Sequence, residues 1–137
     1  MTSGGRLHDR GKRTLFSGAV LMALATLIGA IGTHRLKGTL STESYGVLQT
    51  AVLYQFLHAL GLLLVGVLMQ RRSERLLGIA ADLLLAGVLL FSGSLYALLC
   101  GAPRGFGVLT PIGGLCLIVG WCVAAAAVLR TRETSLP

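Results

Sequence analysis

Four long, mostly apolar stretches run through this chain, over about 14–33, 46–69, 76–100 and 108–129. A helix rises about 1.5 Å per residue, so roughly 20 such residues cross the hydrocarbon core of a bilayer. Each stretch reaches that length. A soluble domain would need amphipathic elements to cover four such helices, and the sequence holds none to spare. Hydrophobic residues make up 54% of the 137 and charged ones only 12%, a balance far from that of ordinary globular chains. The expected fold is an all-α membrane protein. A single four-transmembrane-helix bundle would occupy 14–129, with a basic tail at 1–13 and a second tail at 130–137.

The connections refine this. Those at 70–75 and 101–107 are short, which makes neighbouring helices antiparallel and the bundle up-down-up-down. Between the first two spans, Leu36 and Leu40 stand one turn apart among polar residues, and Ser41 and Thr42 are good helix starters. A short interfacial helix or turn after helix 1 follows. Pro103 between glycines marks the third connection as a turn, and Pro111 falls in the opening turn of the last helix, where a missing N–H costs least. The first span also has the basic start, apolar run and small residues of a cleavable signal peptide, but its full length favours a retained helix.

Charge placement sets the expected orientation. Arg6, Arg10, Lys12, Arg13, Arg71, Arg72, Arg75, Arg130 and Arg132 would lie on one side, and only Arg35, Lys37 and Arg104 on the other. Positive residues of short loops stay in the cytoplasm, so both termini are expected there. The net charge of +7 follows largely from this asymmetry. Its natural partners are membrane lipids, with anionic headgroups at the cytoplasmic face. Nucleic acid is not a partner, because the charges form short juxtamembrane clusters with no aromatic stacking surface.

Small residues mark the faces where membrane helices touch. Gly18, Met22, Ala25, Gly29 and Gly32 form one stripe in the first helix, and Gly113, Cys116, Gly120, Ala124 and Ala127 form another in the fourth. Packing within the bundle is their simplest use. The three cysteines, Cys100, Cys116 and Cys122, lack a CxxC spacing and read as packing residues, so neither a disulfide nor a metal site is expected. No HExxH, phosphate loop or serine elbow occurs.

Polar groups are expensive in hydrocarbon, so those inside the spans are the candidate site residues. Tyr54, Gln55 and His58 lie on the second helix, and Ser92, Ser94 and Tyr96 on the third. His34 closes the first helix and Thr110 opens the fourth at a similar depth, with Lys37 nearby. Together they suggest one polar cluster in the outer half of the bundle. It could be a hydrogen-bond network that fixes packing, a cavity for a lipid headgroup, quinone-like molecule or small solute, or a proton path or catalytic centre. Asp82 is the isolated acid of the spans; its partner could be Arg71, Arg72, Arg75 or a residue on another helix.

Four phrases, in order, carry a resemblance. They are GAIGTHRLK at 29–37, TAVLYQFLHAL at 50–60, FSGSLYAL at 91–98 and TPIGGLCLIVGW at 110–121. The chain resembles the domain of unknown function 423 family, which includes YgdD-type inner-membrane proteins and transmembrane protein 256. That family usually reads GAFGAHGLK in the first phrase, so Ile31, Thr33 and Arg35 are departures, while His34 and Lys37 match. The resemblance implies a four-helix protein of the bacterial inner membrane and supplies no substrate or cofactor. The functional expectation is a non-enzymatic binding or accessory protein for a lipid, a hydrophobic small molecule or a partner's membrane helix. A small transporter or channel subunit with a polar path is the alternative. An enzyme acting on a lipid or quinone, with His34 or His58 as acid/base, is a third reading.

Overall fold

A computed structural model describes residues 3–72 and 75–130, with side chains from Asp9 onward. Helix α1 spans Ser3–Ile31, α2 Thr42–Arg71, α3 Arg75–Leu99 and α4 Leu109–Arg130. Among the described residues there is no strand. Four segments are long and apolar enough to cross a membrane: Asp9–Leu36, Thr42–Arg71, Arg75–Leu99 and Arg104–Arg130. The expected C-terminal tail beyond Arg130, with Arg132, lies outside the described residues, as does the Arg6 side chain.

The helix ends follow local chemistry. Helix α1 does not wait for the apolar run at residue 14 but already includes most of the basic tail. No proline interrupts it, and Gly11 lets it lie against α2, where a Cβ would stand 3.2 Å from that of Met69. Past Ile31 the chain adds one wide π turn, Gly32–Leu36. The N–H groups of Thr39 and Leu40 then both donate to Leu36 O, at 3.1 and 3.0 Å. The connection after helix 1 is thus a turn. Ser41 caps α2 by accepting from Ser44 N at 3.1 Å, and Glu43 in the first turn suits the positive end of the helix. At the far end of α3, Gly101 takes φ +90°, a region that favours glycine. Ala102 N donates to Ala97 O at 2.9 Å and Gly101 N to Leu98 O at 3.1 Å, the paired bonds of a Schellman stop.

Interhelix contacts pair α1 with α2, α2 with α3 and α3 with α4. Rising numbers on one helix meet falling numbers on the next. A Cβ at Gly18 would lie 3.0 Å from Ala59 O, one at Gly29 3.3 Å from Val52, and one at Gly32 3.0 Å from Leu48. Helices α1 and α2 are therefore antiparallel, and so are α3 and α4, where Gly113 meets Phe91 and Gly120 meets Leu84. Leu62, Val65, Leu77, Leu84 and Val88 fill the seam between α2 and α3, and Leu117 and Ala127 of α4 close it from one side. Both small-residue stripes face other helices of the same chain. In α4 the buried positions are Gly113, Leu117, Gly120, Ala124 and Ala127, so Leu117 takes the place expected for the half-buried Cys116.

Trp121 crosses from α4 to α2 and lies on Gly61, where a Cβ would stand 2.7 Å from the ring. It is the chain's single tryptophan, so its emission reports this position alone. Gly61→Ala should push the ring outward, increasing quenching by brominated acyl chains. Unchanged quenching would mean that the ring has room to spare.

Candidate functional site

The polar residues of the spans fall into separate groups. Gln55, only 4% exposed, links three helices. Its Nε2 donates to Leu21 O on α1 at 2.8 Å, and its Oε1 accepts from the Tyr96 hydroxyl on α3 at 2.8 Å. Below it, the buried Ser92 hydroxyl donates to Ala51 O at 2.8 Å. Ser94 faces the other way. Its hydroxyl donates to Phe91 O at 2.9 Å and meets the Thr110 hydroxyl of α4 at 2.7 Å.

Tyr54 and His58 belong to an aromatic group. Tyr54 stacks on Phe91 with centroids 4.4 Å apart, and its ring lies 5.8 Å from that of His58. His58 is 8% exposed and stands 6.2 Å from Trp121. Its Nδ1 meets Tyr54 O at 2.7 Å. A carbonyl only accepts, so Nδ1 carries the donated hydrogen. His34 and Lys37 are exposed at the end of helix 1 and make no bond to any of these groups. The expected single cluster is therefore corrected to a Gln55–Tyr96–Ser92 group facing α1 and α2, a Ser94–Thr110 pair facing α4, and an aromatic group, with His34 and Lys37 apart. The physical reason is helix rotation. Positions two apart on a helix point about 200° from each other, and positions four apart about 40°. Ser92 and Tyr96 thus share a face that Ser94 cannot.

Among the described residues, no buried side-chain nitrogen or oxygen lacks a hydrogen-bond partner. Leaving such a group bare in hydrocarbon costs several kcal/mol. The interior network is saturated, as a packing network should be. Among the described residues no group of three His, Cys, Asp or Glu could hold a metal ion.

Asp82 finds its partner across the bundle. Arg10 Nη2 donates to Asp82 Oδ2 at 2.5 Å and also reaches Gly78 O at 3.4 Å. Gly78 makes room for it, since a Cβ there would lie 3.1 Å from the guanidinium carbon. The sequence placed Arg10 in a tail; the usable signal was that no proline lies between residues 10 and 14. Around this pair is a cavity of about 320 Å³ lined by Arg10, Arg13, Thr14 and Ser17 of α1, Leu62 of α2, and Ala81, Asp82 and Leu85 of α3. A second hollow of about 180 Å³ follows along the same seam, with Leu21, Leu24 and Ile28 on one side and Val88, Leu89 and Tyr96 on the other. The two hollows follow one another, a helical turn apart, along the groove between α1 and α3, floored by α2. A larger hollow of about 390 Å³ between α1 and α2 is lined by Gly32, Tyr45, Leu48 and Phe56 among others and by no charged group.

A family model described as "Protein of unknown function (DUF423)" matches residues 28–114, more than half of the chain. The chain belongs to the DUF423 family. The UPF0382 membrane protein SERP0230 of Staphylococcus epidermidis is 40% identical over 113 residues, covering 82% of this chain and 92% of that protein. YwdK of Bacillus subtilis, another UPF0382 membrane protein, is 37% identical over 82% of this chain and 93% of its own length. The UPF0382 inner membrane protein YgdD of Escherichia coli K12 is 35% identical over 85% of this chain and 86% of its own length. No solved structure matches. The DUF423 match includes Gln55, Asp82, Ser92 and Tyr96, whereas Arg10 and Arg13 lie before it.

Proposed function

We propose that this DUF423 member is a non-enzymatic lipid-binding protein of the bacterial inner membrane, with both termini in the cytoplasm. The observation that carries the reading is the groove between α1 and α3, which is charged at the Asp82 end and apolar beyond it. A phospholipid has the same division. The saturated polar interior supports a binding role over a catalytic or conducting one, because a path or a reacting centre needs donors and acceptors that are free to exchange partners. The orientation rests on the bias of Lys and Arg, nine against three. With the termini inside, Arg10, Arg13 and Asp82 face the cytoplasmic leaflet.

Two measurements test this. Full-length protein released from nanodiscs of total bacterial lipid should carry a bound phospholipid in native mass spectrometry, and a bare chain would reject the reading. Reporter fusions at the C-terminus and in the 101–107 connection should report opposite sides, with the C-terminus inside. A periplasmic C-terminus would overturn the orientation.

A further inference from the structure

The groove carries both signs of charge at one end. Arg10 and Asp82 pair there, and Arg13 adds a second guanidinium. We infer that the groove takes a phospholipid whose headgroup holds both a phosphate and a primary ammonium, with the phosphate at Arg10 and Arg13 and the ammonium at Asp82. This rests on the lipid-binding reading and adds the headgroup class.

Donor and acceptor geometry supports the assignment. A guanidinium has five N–H donors in a planar fork. Among the described residues Arg10 spends only Nη2 on Asp82 and Gly78, which leaves Nε and Nη1 for a phosphate oxygen. Among the described residues Arg13 makes no ion pair. Forked guanidinium donors match phosphate oxygens well. Thr14 already donates to Arg10 O at 3.0 Å and helps to fix the turn that carries both arginines.

Asp82 decides the rest of the headgroup. A site for a purely anionic lipid has no use for a carboxylate beside the phosphate. Here the carboxylate side chain is 71% exposed, and Arg10 bonds its Oδ2. An acid within a membrane span calls for cationic partners. A primary ammonium supplies three N–H donors and a full positive charge. A quaternary ammonium has the charge without any N–H, and a glycerol headgroup has hydroxyls without the charge. Beyond Asp82, the seam past Leu85, Leu24 and Leu89 is apolar. It runs about 21 Å to Tyr96 at 1.5 Å per residue, enough for an acyl chain along it.

The test uses full-length protein in nanodiscs holding equal amounts of dioleoyl phosphatidylethanolamine, phosphatidylcholine and phosphatidylglycerol, with retained lipid read by native mass spectrometry. Phosphatidylethanolamine should be retained over the other two by roughly tenfold, the scale of one charge-assisted hydrogen bond. Asp82→Asn should bring it down to the phosphatidylcholine level, Asp82→Glu should preserve the preference, and Arg13→Gln should lower retention of all three. A second measurement needs no variant: mono-, di- and trimethylated phosphatidylethanolamine should be held progressively less by the unaltered protein as N–H donors are lost. Equal retention along that series, or a preference for phosphatidylglycerol that survives Asp82→Asn, would overturn the headgroup assignment while leaving lipid binding intact. Retention of no phospholipid at all would overturn the lipid-binding reading itself.

Discussion

Gly113→Ala should loosen the bundle by roughly 1–3 kcal/mol, the usual cost of overpacking, and Gly113→Leu by more. Any Cβ at this position would collide with Phe91 N and stand 2.9 Å from Gly87 O. Those atoms belong to the backbone of α3, so no side chain can turn aside to make room. The helices must separate, and the close approach that holds α4 to α3 is lost. Gly120 offers the contrast. A Cβ there meets Leu84 side-chain carbons at 3.1 Å, which can shift by a few tenths of an ångström, so Gly120→Ala should cost less. Gly93 has nothing within 4 Å of its Cβ position, and Gly93→Ala should be neutral or mildly stabilising through helix propensity, up to about 1 kcal/mol. Thermal melts of the three variants in one detergent check the order. If Gly113→Ala melts with the unaltered protein, the α3–α4 interface is not as close as described.

The second large effect is expected at Gln55. Gln55→Leu keeps the approximate volume but removes both of its interhelix bonds, leaving the Tyr96 hydroxyl without the acceptor it uses now. A loss of about 1–3 kcal/mol should follow, since an orphaned buried group costs more than a made bond contributes. Tyr96→Phe should cost less, about 0.6–2 kcal/mol, the range of single interhelix bonds in membranes. The double variant should then be less destabilised than the two effects added together, because a phenyl ring in place of the phenol no longer asks for an acceptor. Strict additivity in that cycle would show that the two side chains do not interact.

Much of this fold was legible in the sequence, for reasons tied to particular residues. Span lengths follow from hydropathy, and Ser41 and Gly101 mark helix ends through their own chemistry. Gly18, Gly29 and Gly32 could be assigned to a contact face because only a helix brings residues at those spacings to one side. Depth was also readable: residue number alone put Gln55, Tyr96 and Thr110 at similar levels. Residue number gives depth without direction around the helix axis, and Ser94 and Tyr96 point to different neighbours at similar depth. The Arg10–Asp82 pair was harder. Its members are 72 positions apart, and Arg10 becomes a partner only because α1 extends into a stretch whose composition looked like a tail. Composition registers solubility in lipid, and it says nothing about whether a basic segment is helical.

The pairing of each helix with its sequence neighbour has a consequence for assembly. Contacts between α1 and α2, α2 and α3, and α3 and α4 span only one connection each, so the chain has a low contact order for its size. Little loop-closure entropy stands in the way of any one of them. The α1–α2 hairpin can dock while α3 and α4 are still being synthesised, since neither of its partners waits on a later segment. The Gln55–Leu21 bond should form at that stage, with Tyr96 completing the trio when the third helix arrives. A chain truncated after Arg72 should accordingly already protect Gln55's helix from labelling, with neither α3 nor the tryptophan of α4 present.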